Sequence, residues 1–133
     1  MSGEWRDLEG TVCSGLGEGS ALTQLDWVLA QFSAKLGFEP CPGTFNLSLM
    51  GTKWAETRRA LMDHQGIAII PPEGFCGAKC FAVILAEKIK GYVIFPEIDG
   101  YPEDKFEILA PVSVRETLAA NDGDRLKIRL EIQ

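Results

Sequence analysis

A chain of 133 residues, 46% of them hydrophobic, has enough apolar material for one core and too little for two, so a single domain over residues 1–133 is expected. Its formal charge of −6 argues against an extended phosphate-neutralising surface for nucleic acid. No apolar run approaches the ~18 residues of a membrane span, and the opening "MSGEWRDLEG" is polar where a secretory signal is apolar. The expectation is a soluble, cytoplasmic protein with no membrane partner, whose Cys13, Cys41, Cys76 and Cys80 are reduced.

In chain order, "LEGTVCSG" reads as a short strand that runs into "GLGEGS", where Gly15, Gly17 and Gly19 alternate around Leu16, Glu18 and Ser20. One glycine suffices for an ordinary turn. Three at alternate positions suit a loop whose peptide N–H groups come close to a ligand. "TQLDWVLAQFSAKLG" follows with Leu25, Val28, Leu29, Phe32 and Leu36 at helical spacing, a Thr23-x-x-Asp26 start and a stop at Gly37. "TFNLSLM" alternates Phe45, Leu47 and Leu49 with Thr44, Asn46 and Ser48, the period of a half-buried strand. Such alternation by itself describes a solvated strand face, yet it also sets a hydroxyl beside an amide carbonyl, two hard neutral oxygens of the kind magnesium takes when phosphates complete its shell.

"WAETRRALMDH" is predicted as a short helix, and "GIAIIPP", "KCFAVILA", "KGYVIFP" and "KFEILAP" as strands separated by Gly, Pro and acidic turns. Cys80, inside an apolar run, is expected to be a core residue. The Ser113-x-x-Glu116 spacing after Pro111 opens one more short helix, and "NDGD" turns the chain into "RLKIRLEI", with Leu126, Ile128, Leu130 and Ile132 facing in. Six or seven short strands with two or three helices make a mainly β, α+β domain, and a small barrel is the architecture that removes exposed sheet edges.

"SGLGEG" after a strand, "LGFEPCPGTFNL" some two dozen residues on and "FEILAPVSVRETLAANDGDRLKI" near the end occur in an order that resembles the archaeal-type CTP-dependent riboflavin kinases over nearly the whole chain. The resemblance implies a six-stranded cradle-loop barrel related to the riboflavin synthase type, converting riboflavin to FMN with CTP as donor and magnesium as metal. It further implies that Gly15, Leu16, Gly17, Glu18, Gly19 and Ser20 hold the nucleotide, that Val112, Ser113, Val114, Arg115, Glu116 and Thr117 form its second contact, and that Thr44 and Asn46 are the metal ligands. Asp99 and Glu107 match positions that contact the flavin. Glu107 is also the carboxylate nearest the acceptor hydroxyl, as catalytic base or as a group that orders the ribityl chain.

The chain departs from the family pattern in "VIFPEIDGYPEDKFEILAP". Phe95 stands where an arginine is usual, and Asp99, Gly100 and Tyr101 replace a Thr-His-Tyr-like triplet. An ionised Asp99 only accepts hydrogen bonds where a threonine also donates. Two other readings accompany the kinase: a nucleotide- or flavin-binding relative with another acceptor or no catalysis, and a swapped-hairpin barrel of the transcription-factor type. The latter rests on the strand–"DGD"–strand ending, and the acidic charge argues against it.

Overall fold

The computed structural model describes residues 4–14, 26–41, 43–74 and 77–132. In chain order these form β1 (Glu4–Cys13), α1 (Asp26–Leu36), β2 (Phe45–Ser48), α2 (Thr52–Asp63), β3 (Ile67–Ile69), β4 (Ala78–Leu85), β5 (Ile89–Pro96), β6 (Lys105–Leu109), α3 (Val114–Leu118) and β7 (Arg125–Ile132). All strand pairings are antiparallel. They run β4–β5–β6–β2–β1–β7 and close from β7 back onto β4, a six-stranded barrel, with β3 added on β4.

Closure is possible because β4 changes partner along its length. Its first half, Ala78 to Cys80, pairs with β3, and its second half, Val83 to Leu85, pairs with β7. Each strand then sends alternate side chains into the barrel: Leu8 and Val12, Phe45 and Leu47, Phe81 and Val83, Val93 and Phe95, Phe106 and Ile108, Ile128 and Leu130. From α2, Trp54 and Leu61 join this interior, and Trp54 lies stacked on Phe95 and edge-on to Phe106. Phe95, the departure from the usual arginine, is therefore a core residue, 4% exposed.

The outward residues of β4, β5 and β6 make a second core. Cys80, Ile94 and Leu109 are covered by Val28, Phe32 and Leu36 of α1, the predicted helical face. Burial pushes the Cys80 thiol up to about 12, as expected of a core cysteine. Helix α1 is tied down at the β3 edge, where Gln31 exchanges hydrogen bonds with Ile70 (2.6 and 2.8 Å) and Lys35 donates to the Ala68 carbonyl (2.6 Å).

The predicted elements are all present in the described residues, with shifted ends. β1 begins at Glu4 rather than near Leu8, because its polar first half pairs with β7 from Glu4↔Ile132 onward while leaving its outer face to solvent. Helix α2 begins at Thr52, two residues before Trp54. The start expected at Thr23 and the "GLGEGS" loop lie outside the described residues, as does Cys76. Cys13, Cys41 and Cys80 are free thiols.

Two strand glycines test how closely the barrel is drawn. A Cβ on Gly91 would stand 2.5 Å from the Leu109 carbonyl oxygen, a backbone atom held in the β5–β6 ladder. On Gly10 it would stand 2.8 Å from the Leu49 Cδ1 methyl and 3.1 Å from the Leu47 Cβ, side-chain atoms rather than backbone. Gly91→Ala is expected to destabilise by about 1–3 kcal/mol as strands are pushed apart, and Gly10→Ala by less, since side-chain atoms yield more readily than a carbonyl held in the β5–β6 ladder. Thermal unfolding of the two variants checks the order, and equal melting temperatures would contradict it.

Candidate functional site

Register across the barrel wall assembles the site. Cys13 pairs with Asn46, Asn46 with Glu107, and Glu107 with Ile94, so one row of side chains crosses β1, β2, β6 and β5 on the outer face. Beyond Ile94 the row is apolar and lies under α1. Its other half is polar yet buried: Asn46 is 7% exposed and Glu107 3%. The alternation of β2 thus reads correctly inward, but on its outward face Asn46 is buried between the partly exposed Thr44 and Ser48.

Thr44 and Asn46 meet as expected. The Thr44 hydroxyl donates to Asn46 Oδ1 at 3.2 Å, while the Asn46 amide nitrogen donates to the Thr44 carbonyl at 3.1 Å and so fixes which way the amide faces. Two neighbouring ligands of octahedral magnesium stand about 2.9 Å apart, given ~2.1 Å bonds at right angles. The pair is therefore close to the required spacing, and its neutral hard oxygens suit an ion already carrying phosphate oxygens. The residues present fit the metal.

Glu107 is held by Tyr101, which sequence reasoning named only as part of the divergent Asp99-Gly100-Tyr101 triplet, and by Lys105, which it did not single out. The Tyr101 hydroxyl donates a short hydrogen bond to Glu107 Oε2, and Lys105 Nζ lies 3.6 Å from Oε1. The Lys105 ammonium also stands over the Tyr101 ring, 5.4 Å from its centroid. The available signal was the strand period: Lys105 and Glu107 are two apart on β6 and share a face. Tyr101 required the turn at Asp99 and Gly100 to bring it back. Asp99 itself is exposed on that turn.

A cavity of about 200 Å³ is lined by Cys41, Gly43, Thr44, Val112, Ser113 and Arg115, among others. Two segments some seventy residues apart thus share one wall. Ser113 is the N-cap of α3 and accepts from the Glu116 N–H at 3.3 Å, the predicted spacing. Val114 is buried in the barrel core, Val112 is 44% exposed, and Glu116 and Thr117 are exposed. The expected residues Gly15, Leu16, Gly17, Glu18, Gly19 and Ser20 lie outside the described residues.

Arg115 anchors the end of β1. It donates to the Cys13 carbonyl at 3.1 Å and to Asp122 at 2.5 Å, and Asp122 also accepts from the Ser14 hydroxyl at 2.7 Å. With five donors, the guanidinium retains capacity for a ligand. Partial burial raises the Cys13 thiol above its ordinary value, reinforced by Asp122 and Asp104 and opposed by Arg115 and Lys105.

The Ser14 hydrogen bond, then that of Arg115, holds the Asp122 carboxyl below its ordinary range. A carboxylate depressed by folding contributes stability above its unfolded pKa and loses that contribution as pH falls through the folded value. The Ser14–Asp122–Arg115 link is therefore intact at neutral pH and released in acid. Carboxyl NMR titration should give Asp122 a midpoint below that of an unfolded-chain aspartate, and Ser14→Ala should raise it. An unchanged midpoint in that variant would exclude the hydroxyl as the main cause.

A family model labelled CTP-dep_RFKase, described as domain of unknown function DUF120, matches residues 12–130. The chain is 39% identical over 132 residues to a riboflavin kinase of Methanococcoides burtonii, covering 94% of this chain and 57% of the relative. It is 36% identical over 133 residues to a riboflavin kinase of Haloquadratum walsbyi (94% and 56%) and 35% identical over 129 residues to one of Archaeoglobus fulgidus (92% and 54%). The chain spans a little over half the length of these curated relatives. With a match over most of its length and a barrel whose wall carries the Thr44, Asn46 and Glu107 cluster, the chain belongs to the CTP-dep_RFKase family.

Proposed function

We propose that this chain is a riboflavin kinase that transfers the γ-phosphoryl group of CTP to the riboflavin 5′-hydroxyl, with magnesium held by Thr44 and Asn46. The observation that carries the reading is the convergence at Thr44, which both meets Asn46 and lines a cavity shared with Val112, Ser113 and Arg115. The relatives' printed names supply the acceptor, and the family label supplies the donor.

Bound magnesium neutralises charge on the donor's terminal phosphates. The chain's own part is positioning. Glu107, in register with Asn46, presents a fixed carboxylate beside the metal ligands, where it accepts a hydrogen bond from the acceptor and aligns it with the donor. Segment Val112 to Thr117 faces the nucleotide, with Arg115 as its cation. Gly15 to Ser20 is the first nucleotide contact in this reading, giving N–H groups to phosphate in a chain whose net charge is negative. Burial of the polar row limits water around the reacting oxygens.

Incubating the protein with riboflavin, magnesium and each of the four nucleoside triphosphates, and separating FMN by chromatography, tests the reading. CTP should exceed the others by about tenfold or more, since a wrong base leaves buried donors or acceptors unpaired at about 1–3 kcal/mol each. Equal turnover with ATP would overturn the donor, and no FMN with any nucleotide would overturn the kinase.

Asn46→Ala should lower turnover about 100-fold or more by removing a metal ligand, while the lost hydrogen bond to Thr44 costs only about 1 kcal/mol of stability. Phe45→Ala, one residue away but inside the barrel, should cost about 3–5 kcal/mol. Wild-type turnover by Asn46→Ala at saturating magnesium would remove the metal role.

A further inference from the structure

Lys105 belongs to none of the segments assigned to nucleotide, metal or flavin, yet its side chain is only 11% exposed and its ammonium stands beside the buried Glu107. Strand geometry puts it there: Ser48↔Lys105 and Asn46↔Glu107 are consecutive outward pairs of the β2–β6 ladder, separated by the inward pair Leu47↔Phe106. Two features define what this arrangement can do. The Tyr101 hydroxyl occupies Glu107 Oε2, so that Oε1 is the carboxylate oxygen turned to Lys105. The Nζ to Oε1 separation is 3.6 Å, within reach of an ion pair but longer than a direct hydrogen bond. A gap of that size between a donor cation and an acceptor anion suits a group that both donates and accepts.

We propose that Lys105 is a specificity-determining residue of the acceptor site, acting with Glu107 as a two-point clamp on one hydroxyl of a polyol. The hydroxyl donates its proton to Glu107 Oε1 and accepts from Lys105 Nζ. Neither charged group alone makes both bonds: a carboxylate only accepts, and an ammonium only donates. Tyr101 keeps the clamp in register by holding Oε2, and its ring carries the Lys105 ammonium. The ligand class this selects is a flavin that bears a hydroxylated side chain rather than the bare ring system. The inference rests on the riboflavin kinase reading and assigns a residue to its acceptor side.

The test compares riboflavin with lumiflavin, which has the same ring system and no ribityl hydroxyls, by quenching of flavin fluorescence on binding, and it needs no turnover. Wild type should bind riboflavin at least about tenfold more tightly than lumiflavin, as a site built to bond a hydroxyl discriminates against its absence. Lys105→Met should bring the two affinities to within about threefold, with lumiflavin binding little changed, and Lys105→Arg should keep part of the preference. The apparent KM for CTP should stay the same in all three. Because Lys105→Met leaves Glu107 buried without its cation, the double variant Lys105→Met/Glu107→Gln, which removes both charges, is measured alongside and should show the same loss. An undiminished riboflavin preference in Lys105→Met or in the double variant would overturn the clamp while leaving the kinase intact. Wild type that makes no FMN and binds neither flavin would overturn both.

Discussion

The site depends on one continuous run of antiparallel ladders, β1–β2–β6–β5, in which β2 pairs with β1 on one side and β6 on the other. The short ladder Val83↔Leu130, Ile84↔Arg129 and Leu85↔Ile128 then closes into a barrel what would otherwise be an open, twisted sheet with two free edges. Closure fixes the strand stagger, and the stagger decides which residues stand opposite one another around the wall. Cys13, Asn46, Glu107 and Ile94 fall into one row because three neighbouring ladders pair them directly. A one-residue slip between β2 and β6 would carry Asn46 or Glu107 into the apolar interior and bring Phe45 or Phe106 outward. The identity of the site is thus a property of register, and register is secured by the inward set of large side chains.

The outer face of the wall carries two kinds of cover. Under α1 the row is apolar, and Cys80, Ile94 and Leu109 are sealed by Val28, Phe32 and Leu36. On β2 and β6 it is polar, and burial there is sustainable only because each group has a partner: Asn46 with Thr44, Glu107 with Tyr101 and Lys105. An uncompensated buried carboxylate costs several kcal/mol, of the order of the whole stability of a small domain. The charged brace around Glu107 therefore offsets the cost of burying its carboxylate.

Much of the architecture was legible in the residues. Alternation at Phe45/Leu47 and at Ile128/Leu130/Ile132 identified inward faces correctly, and the Val28, Phe32, Leu36 spacing identified the buried side of α1, because period and burial follow directly from backbone geometry. Thr44 and Asn46 were legible as neighbours for the same reason. That Asn46 is buried was not, since a polar residue facing outward has the same local pattern at any degree of burial. Tyr101 was hidden by a turn whose course depends on Gly100, with φ at +81°. Arg115 and Asp122 are seven apart and meet only because α3 ends at Ala119 in the left-handed conformation and the chain doubles back. Such contacts follow from tertiary paths that no short window contains.

The pairing of β1 with β7, from Glu4↔Ile132 to Thr11↔Arg125, joins the two ends of the described chain. Its consequence lies in biosynthesis. β7 is synthesised after the other described strands, so until it appears β1 has one edge unpaired, an invitation to associate with other nascent chains. That edge strand carries Glu4, Arg6, Asp7 and Glu9 among its first six residues, a charge density that discourages intermolecular pairing. When β7 arrives it brings Arg125, Lys127 and Arg129, and the acidic residues that kept strangers away become docking points: Asp7 meets Arg129 at 3.0 Å and Glu9 meets Arg125 at 2.6 Å. The same charges serve first as gatekeepers against aggregation and then as a guide for β7.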